Sequence, residues 1–170
     1  MRKLMLTIRP TFIAEATGVI AYIVSERRIP IERLLQDIGT LFGAGVFERL
    51  PAFAQADFSE AGKCLAFERA TSAAFHALRA TESTLKKYYS NKIKGSDPAL
   101  MWAGMVSALR SVPGAAPKVL LNQLDHGRDG FRNPTAHPEK MYDMDEAQDL
   151  LSICIDVSNR IVADLNLEAR

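Results

Sequence analysis

Cysteine is scarce: only Cys64 and Cys154 occur in 170 residues, far apart and each inside a helical pattern. Such cysteines read as small buried apolar residues in a reducing compartment, not as a disulfide framework. Two cysteines without CxxC spacing and three scattered histidines assemble no zinc site. There is no glycine-rich phosphate loop, no HExxH, no GxSxG and no kinase-type set of motifs. A bundle of helices can hold a di-metal centre, but the Glu-x-x-His pairs such centres need are missing. Neither a metal nor a cofactor is therefore expected. Charge of one sign is also lacking. A net charge of +1 gives no global electrostatic reason to bind nucleic acid, although a local basic patch remains compatible with it. Long apolar runs are absent too. The uncharged stretch over residues 16–25 is about half of a membrane span, and the longest, residues 98–109, also falls well short of one. At the start of the chain, Arg9, Pro10 and Glu15 interrupt the apolar run before a signal-peptide core is complete. A soluble, cytoplasmic protein is expected.

What is present is helix after helix. Apolar residues make up 48% of the chain and charged ones 24%, an ordinary globular balance that argues against extended disorder. Residues 11–26 carry Phe12, Ala16, Val19 and Ile23 at helical spacing. Pro30 suits the first turn of a second helix, with a stripe from Ile31 to Phe42 and a stop at Gly43 and Gly45. The run Asp57-Phe58-Ser59-Glu60 has the form of a capping box, which predicts one long helix from there to about Asn91. Its apolar stripe comprises Cys64, Phe67, Thr71, Phe75, Leu78, Leu85 and Tyr89, with Glu82 near its centre. A carboxylate facing a core needs a cation or donors to meet it. His76 falls on the opposite face and reads as a solvated histidine. Arg79 and Lys86 flank Glu82, where they either contact phosphates or line a solvated helix edge.

Asp97-Pro98 supplies a cap and first turn for a helix ended by Val112-Pro113-Gly114. Another helix starts near Pro117 and runs towards Phe131, weakened by Gly127 and Gly130 so that its last turn frays or tightens. Asp143 to Glu146 forms a second capping box. The final helix carries two apolar rows, one through Leu150, Cys154, Val157, Ile161 and Leu165 and one through Leu151, Ile155 and Val162. Two rows need two partners: a neighbouring helix together with a second subunit, or with the N-terminal extension. The expected architecture is all-α: an up-and-down bundle of about four helices over residues 57–170, preceded by a two-helix extension over residues 1–56.

Between the last two helices lies Phe131-Arg132-Asn133-Pro134-Thr135-Ala136-His137-Pro138. A guanidinium, an amide and a titratable imidazole fall there within six residues, and two prolines pin the backbone. The bland reading has Arg132 capping a helix, Asn133-Pro134 making a turn and His137 packing on Tyr142. The order Arg132-Asn133-Pro134-Thr135-Ala136-His137, however, resembles the R-x4-6-H signature of the HEPN superfamily, in which a polar residue often follows the arginine. The alanine-rich helix from Ala74 to Glu82, with its inward acidic residue, is similar to that family's earlier long helix. The resemblance covers roughly residues 57–167.

The resemblance implies a homodimeric helical domain in which two such motifs face one cleft. Many members are metal-independent endoribonucleases of toxin–antitoxin, abortive-infection and other defence systems, and others keep the fold as inactive binding or sensing modules. On the active reading the partner is RNA, with a cognate antitoxin or regulatory protein besides. His137 acts as general acid or base, Arg132 holds the scissile phosphate, and Asn133 orients the phosphate or the imidazole. Glu82 fixes Arg132, and Arg79 and Lys86 contact the RNA backbone. One family variant has a tyrosine two residues beyond the histidine, where a partner nucleotidyltransferase can adenylylate it. Here that position is Glu139 and the nearest tyrosine is Tyr142, which speaks against that pairing.

Overall fold

Proline sets three helix starts. Pro30, Pro51 and Pro117 each stand immediately before a first helical residue, where a fixed φ is suitable and a missing N–H leaves nothing unpaired. The computed structural model describes Ile13, Thr17, residues 28–132 and residues 140–168. Among these residues there are six α-helices and no strand. They are α1 (Ile31–Gln36), α2 (Ala52–Ala66), α3 (Ala70–Lys92), α4 (Trp102–Ser111), α5 (Lys118–Gly127) and α6 (Met144–Glu168). Two 3₁₀ turns, Ile38–Leu41 and Phe47–Arg49, join α1 to α2, and a π-helical turn, Arg128–Arg132, prolongs α5. The all-α bundle is as the periodicity predicts. No described helix is long and apolar enough to cross a membrane.

Several boundaries differ from expectation. The predicted helix over residues 11–26 lies outside the described residues, apart from Ile13 and Thr17. The helix predicted after Pro30 ends at Gln36, and its stripe continues through a 3₁₀ turn, so that Leu34, Ile38 and Phe42 are all buried. Asp57 begins no helix: Pro51 does, and position 57 falls in the middle of α2. The division predicted between residues 56 and 57 therefore cuts through a helix. The single helix predicted to about Asn91 is broken at Phe67–Arg69. There the Glu68 and Arg69 amides donate to Leu65 O and Cys64 O, the paired bonds of a Schellman motif. Glu68 occupies its left-handed position at φ 59°, where glycine is usual, and so the break left no trace in the sequence. The break also turns Phe67 and Phe75 outward. Asp97 caps a turn through Ala99 N, and α4 begins only at Trp102. The end of α5 neither frays nor tightens but widens into the π-helical turn. The capping box at α6 is realised reciprocally, Glu146 N donating to Asp143 Oδ1 at 2.8 Å and Asp143 N to Glu146 Oε2 at 3.2 Å.

Helix α3 runs through the middle. Its first half buries Ala70, Ala73, Ala74, Ala77 and Ala80, small side chains that allow close approach by α2 and α6. Its second half packs Leu85, Tyr88 and Tyr89 against Trp102, Met105 and Leu109 of α4 and Leu120, Leu121 and Leu124 of α5. Helix α6 spans both halves, placing Leu150, Leu151, Cys154 and Ile155 in the first cluster and Val157 and Ile161 in the second. Its two apolar rows are thus covered within one chain, without a second subunit. At the far end the Lys92 ammonium meets Asp164 Oδ2 at 2.5 Å, and Tyr88 OH donates to the same oxygen at 2.7 Å.

Residues ahead of α1 are clamped to α6: Arg28 N donates to Gln148 Oε1, and its guanidinium to Asp149 Oδ1 and Asp145 O. Helix α1 then crosses α2 so closely that a Cβ on Gly62 would collide with the Leu34 carbonyl oxygen. Gly62→Ala is expected to lower unfolding stability by about 1–3 kcal/mol, the usual cost of overpacking. A shift of the urea midpoint reads this directly, and an unchanged midpoint would show that α1 can leave α2 at no cost.

Candidate functional site

With α2, α4 and α6 packed on its other sides, α3 keeps a strip that none of the described residues covers. His76, Arg79, Glu82, Ser83 and Lys86 recur along it at three- and four-residue spacing, one helical face. Arg79, Glu82, Ser83 and Lys86 line a groove of about 300 Å³, together with Phe53 from the first turn of α2. Phe53 is 65% exposed and Phe75 48%, and the Arg79 guanidinium carbon lies 5.4 Å and 5.5 Å from their ring centres. Such separations are cation–π contacts.

Beside the groove lies a buried carboxylate. The Asp57 side chain is only 6% exposed and takes two charge-assisted contacts from α3. His76 Nδ1 is 2.9 Å from Asp57 Oδ1, and Arg79 Nε donates to Asp57 Oδ2 at 3.1 Å. A carboxylate only accepts, so Nδ1 is the donor of this pair, and Nε2 is the ring nitrogen turned away from Asp57. Leaving Asp57 alone at this depth would be costly; two partners make its burial tenable. His76 is therefore not the solvated histidine that its position suggested. It is half-buried and held.

Of the residues singled out in the sequence, Glu82, Arg79 and Lys86 come together in the groove. Glu82 does not face the core: its side chain is 18% exposed at the groove wall, with Lys86 Nζ 3.8 Å from Oε1. Arg132 closes the π-helical turn, which packs against α3. Its side chain, and all of Asn133 and His137, lie outside the described residues. The flanks of that stretch are fixed. Tyr142 N donates to Thr71 Oγ1 on α3 at 3.1 Å, and Tyr142 OH donates to Phe131 O at 3.1 Å. Asp57, His76, Phe53, Phe75 and Ser83 were not singled out as site residues. A signal existed for Asp57. With Pro51 read as a helix start, it falls in the stripe Ala54, Phe58, Ala61, Leu65 as its one charged member.

Comparison with protein-family models, with curated proteins and with solved structures finds no match to this chain.

Among the described residues no group of His, Cys, Asp and Glu is arranged to hold a metal ion. Both thiols are free, and neither serves as a ready nucleophile. Burial pushes the Cys154 thiol up to about 12, against a smaller lowering by its hydrogen bond with Thr81. Burial, helped by Glu60, also raises Cys64. Both stay protonated at neutral pH, and the thiolate is the reactive form. In the folded protein at pH 8 a disulfide reagent should modify Cys64 slowly and spare Cys154 until denaturant is added. Counting two fast thiols without denaturant would contradict this burial.

Proposed function

We propose that the chain is a metal-independent endoribonuclease of HEPN type, acting in a toxin or defence setting and working as a homodimer. The observation that carries this reading is Glu82, a carboxylate held half-buried on α3 between Arg79 and Lys86, on the helix against which the Arg128–Arg132 turn packs. Arg132 ends that element, and Asn133 and His137 follow it in the sequence before α6, the order the R-x4-6-H resemblance calls for.

On this reading His137 takes the proton of the ribose 2′-OH, whose oxygen attacks the adjacent phosphorus. The P–O5′ bond breaks, and the departing 5′-oxygen receives a proton from the His137 of a second copy across the cleft. An imidazole suits both duties because its ordinary pKa lies near neutrality. The products are a 2′,3′-cyclic phosphate and a 5′-hydroxyl, with no water consumed. Arg132 neutralises charge developing on the non-bridging oxygens, Asn133 orients phosphate or ring, and Glu82 holds Arg132 in direction. The 2′-OH makes RNA the substrate class.

A second reading, an inactive binding module of the same fold, is favoured by one observation. Among the described residues, the Asp57–His76–Arg79 cluster is organised by α2 and α3 alone. Cleavage separates the two. The purified protein should cut RNA in EDTA, and His137→Ala and Arg132→Ala, folded by circular dichroism, should lose at least about a hundredfold in rate, the lower end of what general acid–base catalysis contributes. If neither variant slows cleavage, or if the wild type cuts nothing, the catalytic reading is wrong.

A further inference from the structure

One buried carboxylate aims two side chains on α3, each through one of its nitrogens. Asp57 engages Arg79 through Nε and His76 through Nδ1. Among the described residues, no hydrogen bond uses the two terminal amino groups of Arg79 or Nε2 of His76, and the arginine side chain is 41% exposed. A guanidinium anchored at Nε keeps its outer fork fixed, which suits two oxygens of one phosphate. His76 Nε2, the ring nitrogen not turned to Asp57, is placed to meet a hydroxyl, which can either donate or accept.

Beside this fork stand Phe53 and Phe75, two exposed rings from adjacent helices. Flat apolar faces next to a phosphate-sized donor fork suit an unstacked base joined to that phosphate; a duplex keeps its bases stacked on one another. Lys86 lies seven residues further on, about 10 Å along the axis, so that it meets a different phosphate from Arg79. Asp57 and Glu82 offset the two cations. Recognition therefore rests on directed donors and stacking, with little long-range attraction.

We infer that this groove binds a single strand of RNA, one phosphate on the Arg79 fork, its ribose hydroxyl at His76 and its base on the Phe53 face. This names the strandedness of the substrate for the ribonuclease reading and rests on that reading for RNA as the ligand class, but it uses none of the residues of the turn.

The test is fluorescence anisotropy of a short labelled oligouridylate in EDTA, on the full chain carrying His137→Ala so that the strand stays intact. Phe53→Ala, at an exposed position, is expected to weaken binding about tenfold with an unchanged melting temperature. Arg79→Gln is expected to weaken it by a similar factor. With two cations engaged, log Kd should change with log salt with a slope of about 1.4, falling to about 0.7 in Lys86→Ala. Duplex RNA and the corresponding DNA strand should compete poorly. Equal affinity in the parent, Phe53→Ala and Arg79→Gln overturns the inference, as does the absence of binding in the parent. Binding that depends on Phe53 and Arg79, in a protein that cuts no RNA, keeps the groove and rejects the nuclease. Cleavage indifferent to both residues does the reverse.

Discussion

Everything in the bundle depends on how closely its neighbours approach α3. Alanine at positions 70, 73, 74, 77 and 80 leaves the first half of that helix thin enough for α2 and α6 to pack almost against its backbone. The second half instead carries Leu85, Tyr88 and Tyr89 and holds α4 and α5 at the distance large side chains require. One helix thus supports two clusters of different texture, and α6 ties them together. Thr81 and Thr84 are buried along it at little cost, because each hydroxyl donates back to a carbonyl of the preceding turn, Ala77 O and Ala80 O.

The same close packing creates the polar cluster. With small residues between them, α2 and α3 lie near enough for a carboxylate as short as that of Asp57 to reach both His76 and Arg79 one turn apart. A longer side chain at 57 would push the donors outward, and an apolar one would leave them unaimed. Burial strengthens these contacts and makes the unpaired state expensive, so the cluster is positioned by the fold and not by solvent. Phe53 and Phe75, turned out by the Pro51 start and the break at Glu68, then frame the guanidinium.

Much of this was legible in the sequence. Helical periodicity gave an all-α chain, and Pro117, Pro113 and the Asp143–Glu146 pair bounded α5, α4 and α6 close to where they lie. The α2–α3 hairpin was not legible, for a local reason. Its turn uses Glu68 in a left-handed conformation that side chains seldom adopt, whereas an adjacent sequence of good cap residues, Asp57 to Glu60, falls inside a helix. That single misreading carried others with it: Asp57 became a cap, His76 became solvated, and Phe67 and Phe75 became core. Glu82, Arg79 and Lys86 were placed on a common side because α3 beyond the break is regular, and within a regular helix spacing alone fixes the face.

Near-zero charge constrains what this groove can do. Two cations and two carboxylates share it, so its field falls away within a short distance and cannot gather a polyanion from solution as a basic cleft does. Its polarity is instead arranged by direction: the two acids lie to the inside or along the wall, Asp57 behind the guanidinium and Glu82 beside Lys86, while the outer donors and the aromatic faces look away from the bundle. A ligand gains nothing from such a site until it is seated, and then gains several short-range contacts at once. That arrangement favours a slow, selective encounter over rapid non-specific capture, and it agrees with a chain whose total charge is only +1.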